Sequence, residues 1–187
     1  VDYVSMHTYP FHDTFYNPQF WVTRTSSYKD KDDLIKAAMK RAADYSIKQY
    51  ILVKNYIADI CPEKEIHIGE TGWASISTDQ YGAEGTRAAD EYKQALYYKY
   101  ISESCNQLGV KCFYFSAFDE PWKDFKNPQG SENHFGLFTV DGKAKYLMWE
   151  KVDEGAFRGL SRNGNSIRKT YGGNLVNLSE DIYHPPS

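Results

Sequence analysis

The stretch Glu65-Ile66-His67-Ile68-Gly69-Glu70-Thr71-Gly72-Trp73-Ala74 decides the fold. Isoleucines at 66 and 68 mark a short β-type run that ends abruptly in a glutamate. A glycine turn and a tryptophan follow. The pattern predicts a strand over Glu65–Gly69 with the Glu70 carboxylate at its C-terminal mouth, where parallel α/β sheets collect their functional groups. Trp73 is expected as an aromatic plate beside it.

Working outward, the chain alternates strand and helix. Val1 to Met6 reads as a strand stopped at His7-Thr8-Tyr9-Pro10, because proline cannot donate to a sheet ladder. A loop follows, carrying Phe11, Phe15, Tyr16, Phe20 and Trp21. Asp32 and Asp33 are read as N-cap and first-turn charge of a helix. Its apolar positions, Ile35, Ala38, Met39, Ala42, Tyr45, Leu52 and Tyr56 among them, run at largely helical spacing toward Ile60, and Pro62 stops it.

Beyond Trp73 a polar loop leads into a second helix, predicted over Thr86–Leu108 and closed by Gly109. A third strand is predicted over Val110–Ala117. Near-continuous apolar strands separated by long helices describe a parallel sheet covered on its faces. Asp141-Gly142 marks a turn, Tyr146–Phe157 a last short helix, and residues 161–187 an irregular tail rich in glycine and asparagine. Residues 1–160 are therefore read as one folded part and 161–187 as its tail.

Composition narrows the function classes. The net charge is −3, so no basic stripe exists to neutralise phosphates, and nucleic acid is excluded as a partner. No long apolar run suggests a membrane span. Aromatic residues reach 16%, which core packing explains in part and which sugar-stacking surfaces also require. Cys61, Cys105 and Cys112 leave one disulfide or none equally open. No metal-ligand spacing links the histidines, and no phosphate loop or serine elbow occurs, so no metal or cofactor is expected.

Three strand ends carry polar and aromatic residues together: His7-Thr8-Tyr9-Pro10, Gly69 to Trp73, and Phe118-Asp119-Glu120-Pro121-Trp122-Lys123. Cleavage of a glycosidic bond with retention needs two carboxyl groups about 5–5.5 Å apart, one as nucleophile and one as acid/base. Glu70 is the candidate nucleophile; a glutamate that merely caps the next turn is the rival. Asp119 and Glu120 read as further site carboxylates or as solvated loop acids. Lys123 reads as a charge partner of the nucleophile or as a surface lysine, and Glu132 as part of the same network or as a loop residue. His7 and His134 are weaker candidates.

These motifs resemble glycoside hydrolase family 17, the β-1,3-glucanases of clan A. Glu70-Thr71-Gly72-Trp73-Ala74-Ser75 is similar to the family's nucleophile motif at the end of barrel strand seven. Phe118-Asp119-Glu120-Pro121-Trp122-Lys123 resembles the end of strand eight. Glu132 with Phe135-Gly136-Leu137-Phe138, and Tyr9-Pro10-Phe11 at strand six, complete four motifs in order. The resemblance implies a (β/α)8 TIM barrel of which this chain covers strands six to eight. A complete barrel takes about 250 residues, and the chain has 187.

It also implies retaining hydrolysis of β-1,3-glucan such as laminarin, with no cofactor. Glu70 would be the nucleophile, and Tyr9, Trp73, Phe118, Glu120, Lys123 and Glu132 would contact or support the sugar. The family's acid/base glutamate follows an asparagine at strand four, and no Asn-Glu dipeptide occurs here. Together with an opening inside a strand, this leads to the expectation that a missing N-terminal half of the barrel is the chain's partner and that the isolated chain is inactive without it. A secreted, extracellular or periplasmic location follows from the substrate class alone. Transglycosylation on β-1,3-glucan, or glucan binding without turnover, are the alternatives.

Overall fold

The computed structural model describes residues 2–10, 30–77 and 88–184. The chain divides into two compact units, one formed by residues 1–73, 96–115 and 185–187, the other by 74–95 and 116–184. The expected aromatic loop after Pro10 and the start of the second helix at Thr86 lie outside the described residues.

In the first unit, β1 (Tyr3–His7), β2 (Glu65–Thr71) and β3 (Cys112–Tyr114) form a parallel sheet in the order β1-β2-β3. Helix α1 (Lys31–Ile60) connects β1 to β2, and α2 (Glu91–Leu108) leads to β3. The N-cap of α1 is Asp30 rather than Asp32 or Asp33: its Oδ1 accepts the Asp33 N–H at 2.8 Å, and the two later aspartates charge the first turn. Ile35, Ala38, Met39, Ala42, Ala43, Ser46 and Tyr50 are buried, whereas Leu52, Tyr56 and Ile60, expected on the buried side, are exposed. Thirty helical residues run about 45 Å, about twice the length of a seven-residue strand, so the helix outruns the strand it leads into.

Helix α2 ends as expected. Gly109 adopts φ +65°, its N–H bonds Asn106 O at 3.2 Å, and the Val110 N–H bonds Cys105 O at 2.9 Å. The two bonds together make a Schellman cap. All three cysteines are free thiols. Tyr97, missed in the sequence reading, is fully buried, and its hydroxyl meets Ser46 Oγ at 2.9 Å and Thr71 Oγ1 at 2.5 Å. One phenol thus ties both helices to the end of β2, and burial pushes its pKa up.

The second unit has little regular structure. Isolated bridges run from Phe118 to Phe138, from Phe138 to Ala144 and from Ala144 to Lys169. The predicted helix over Tyr146–Phe157 shrinks to a 3-10 turn, Tyr146–Met148, and helix α3, Trp149–Asp153. The tail is not irregular. It holds the hairpin β4 (Ser161–Arg162)–β5 (Asn165–Ser166) and helix α4 (Leu175–Glu180), and residues 116–184 cluster in one unit with no boundary at 160. Asn163 and Gly164, at φ +51° and +79°, supply the left-handed turn of that hairpin, a signal the glycine-rich composition obscured.

Gly136 is required by close approach. A β-carbon there would overlap Asp119 N, Phe118 C and Phe138 O, all main-chain atoms that cannot swing aside. Gly136→Ala is therefore expected to cost roughly 3 kcal/mol or more, read as a lowered midpoint in urea denaturation. Gly69→Ala meets mainly the Ser5 hydroxyl, which can rotate, and should cost less.

Candidate active site

Glu70 sits at a break in strand register. Met6 pairs with Ile68 and His7 with Glu70, so Gly69 is the extra residue of a bulge in β2. Bulges re-aim the side chain that follows them, and here that side chain is the carboxylate. The Tyr9 hydroxyl donates to Glu70 Oε2 at 2.7 Å, and His7 Nδ1 lies 3.5 Å from the same oxygen. The Glu70 side chain keeps 39% of its surface accessible. It is held in one orientation and still open to a ligand.

The resemblance cast Tyr9 as a sugar contact. The structure gives its hydroxyl to Glu70 and sets its ring edge-on to Phe115 at 6.3 Å. Trp73 is a correction. It is 0% exposed and packs on Tyr97 with centroids 5.4 Å apart, so its ring belongs to the core and offers no face to a sugar.

The second unit holds the other candidates. Glu120 Oε2 faces Lys123 Nζ at 3.3 Å, an ion pair without hydrogen-bond alignment. Glu132 lies on a 3-10 turn, Ser131–Asn133. Phe118 is half-buried, with the Arg162 guanidinium 3.9 Å above its ring and Phe138 tilted against it at 5.5 Å. A cation–π partner already occupies the face assigned to sugar.

Three residues that build this region went unread in the sequence. Asn133, 1% exposed, donates through Nδ2 to Asp124 O and Asn127 O at 2.8 and 3.0 Å, and its Oδ1 accepts the Asp124 N–H at 2.8 Å. One side chain thereby fixes the segment between Lys123 and Glu132. Lys145 is buried, and its Nζ donates to Asp119 Oδ1 at 2.6 Å, Ser75 Oγ at 2.7 Å and His134 O at 3.2 Å. Lys93 is buried in an ion pair with Asp90 and donates to Tyr183 O at 2.5 Å. Burial pushes both lysine pKa values down, and the aspartates oppose that. Lys145 finds its charge partner 26 residues away, where no local spacing announces it, whereas Asp90 lies only three residues before Lys93.

Glu91 is the counterpart among the acids. Its Oε2 accepts Thr170 Oγ1–H and the Tyr146 N–H, each at 2.7 Å, yet burial raises its pKa above the ordinary glutamate range. The folded state therefore holds this proton at pH values where the unfolded chain releases it. Its stabilising effect is complete below the ordinary glutamate pKa and is lost as pH rises through the folded one. Glu91→Gln, whose amide oxygen can accept both bonds, should melt higher relative to the natural protein at pH 7 than at pH 4. Scanning calorimetry at the two values checks this; a gain confined to pH 4 would contradict it.

Among the described residues no group of histidine, cysteine and acid side chains could hold a metal, and no helix is long and apolar enough to cross a membrane.

A strand-end carboxylate oriented by a neighbouring tyrosine, on parallel βα units, belongs to the class of glycoside-hydrolase barrels. Comparison agrees: residues 1–136 match the BtgE/BtgC glycoside hydrolase domain, and the chain belongs to that family. It is 39% identical over 111 residues to a glucan 1,3-beta-glucosidase of Arthroderma benhamiae, a match covering 52% of this chain and 33% of that protein. It is 29% identical over 96 residues to the acidic isoform GL153 of glucan endo-1,3-beta-glucosidase from Nicotiana tabacum, covering 46% and 24%.

Among solved structures, an endo-laminarinase from Formosa Hel1_33_131 superposes on all of this chain with TM-score 0.92 and 54% identity. The match covers 48% of that enzyme, so the chain spans about half its length. A Rhizomucor miehei beta-1,3-glucanosyltransferase, at TM-score 0.53 and 23% identity over 79% of this chain and 42% of that one, shares the fold. The likeness to family 17 read from the motifs is borne out, and the parallel sheet is consistent with part of a (β/α)8 barrel.

Proposed function

We propose that this chain supplies strands six to eight and the nucleophile of a retaining β-1,3-glucanase. The observation that carries the reading is the oriented, accessible Glu70 at the end of β2, hydrogen-bonded to Tyr9, in a chain with 54% identity to an endo-laminarinase along its whole length. In the first step a Glu70 oxygen bonds the anomeric carbon while the glycosidic C–O bond breaks. The departing oxygen takes a proton from an acid/base glutamate contributed by the N-terminal half of the barrel. In the second step that residue removes a proton from water, which displaces Glu70 from the sugar.

Glu120, Lys123 and Glu132 support the sugar hydroxyls through the network anchored by Asn133. Transfer to a sugar hydroxyl instead of water is the variant the same intermediate allows. The substrate, a polymer too large for import, places the protein outside the cytoplasm.

The test is reducing-sugar release from laminarin by this chain together with the N-terminal half that supplies the acid/base, with the anomer first formed followed by proton NMR. Appearance of the β-anomer first supports the reading; the α-anomer first, or cleavage of β-1,4- but not β-1,3-linkages, would overturn it.

A further inference from the structure

Of the three aromatic residues expected to contact sugar, Trp73 is taken up by the core, Phe118 lies under Arg162, and the Tyr9 hydroxyl bonds Glu70. The segment Pro121–Lys126 carries two further rings. Trp122 is 61% exposed and Phe125 is 72% exposed, and among the described residues neither has an aromatic, cationic or hydrogen-bonding partner. Exposed apolar residues scattered singly are ordinary, and exposed rings grouped on one short segment are a feature of interaction sites.

The backbone beneath them is fixed. The Lys123 N–H bonds Glu120 O at 3.0 Å, the Asn127 N–H bonds Asp124 O at 3.1 Å and the Gly130 N–H bonds Asn127 O at 2.7 Å. The Asn127 amide also donates to the Asp124 carboxylate at 3.0 and 3.1 Å, and buried Asn133 clamps Asp124 from both its N–H and its carbonyl. Rings set on a segment so tightly bonded lose little freedom when a ligand lies on them.

Resting on the glucanase reading above, we infer that Trp122 and Phe125 form a stacking platform for the apolar C–H faces of successive glucose rings. Their place on the chain selects this ligand. Glu120 and Lys123 are polar groups suited to sugar hydroxyls, and they lie within five residues of both rings. A neutral β-linked glucan presents an apolar face and hydroxyl edges at once. The platform governs hold on a polymer rather than the bond-breaking step.

The test uses Trp122→Ala, Phe125→Ala, the double variant and Trp122→Phe. Kinetics on laminarin, measured with the N-terminal half of the barrel present, are read beside tryptophan-fluorescence titration with laminarin oligosaccharides in a Glu70→Gln background. Each alanine should raise KM and the titrated Kd roughly tenfold, leave kcat within about twofold, and leave the melting temperature unchanged, as for anchor residues of a recognition surface. Trp122→Phe should recover most of the affinity.

A double variant that binds laminarin as the natural protein does would overturn the platform and leave the glucanase reading standing. Suppose instead that the natural protein ignores β-1,3-glucan but binds a β-1,4- or β-1,6-glucan, and that Trp122→Ala abolishes this. Then the platform stands and the linkage assignment falls. Binding to none of the three overturns both.

Discussion

Glu70→Gln, with the N-terminal half of the barrel present, is expected to reduce laminarin hydrolysis by roughly 10³-fold or more while the protein keeps its melting temperature. The amide nearly matches the carboxylate in shape but cannot form the glycosyl ester. The two effects separate because the side chain is partly exposed and the Tyr9 hydroxyl can bond an amide oxygen equally well. Tyr9→Phe sharpens the interpretation. Removing the hydroxyl frees Glu70 to rotate while leaving it charged, so kcat should fall about 10- to 100-fold, in line with loss of near-attack geometry. Should Glu70→Gln retain turnover within tenfold, the nucleophile lies elsewhere.

The second large effect belongs to stability. Lys145→Met deletes a buried ammonium and leaves the Asp119 carboxyl buried without its close cation, with the Gly136 N–H at 3.0 Å and His134 Nδ1 at 3.6 Å beside it. Breaking one side of a buried pair costs about 3–5 kcal/mol because the surviving charge is uncompensated. Against a typical total of about 5–15 kcal/mol, that is enough to populate unfolded chains at ambient temperature. Asp119→Leu combined with Lys145→Met should recover much of the loss, since two apolar side chains need no partner. Urea midpoints across the four-variant cycle measure the coupling. A single Lys145→Met midpoint equal to that of the natural protein would mean the pair is solvated. Activity should follow, because Asp119 directly precedes Glu120 and holds Gly136.

Much of the scaffold was legible because it is written locally. Isoleucines at 66 and 68, a helix stopped by Pro62, and Gly109 closing α2 each declare themselves within a few residues, and all three elements appear where read. Where the reading slipped, a distant partner or an unread turn was responsible. Leu52 and Tyr56 satisfy the helical period perfectly well, yet both side chains are exposed among the described residues. Asn163-Gly164 announced a hairpin that glycine-rich composition had marked as disorderly.

The sequence by itself determined the parallel βα organisation, the strand-end position of Glu70 and the kinship of the chain, since residue type and spacing carry all three. Only the tertiary structure decided which neighbours act on those residues. It brought the Tyr9 hydroxyl to Glu70, moved Trp73 into the core, and buried Lys145 against Asp119. The physical reason is common to all of them. Burial and hydrogen bonding depend on which atoms meet across long stretches of chain, and a side chain's chemistry follows from the atoms it meets.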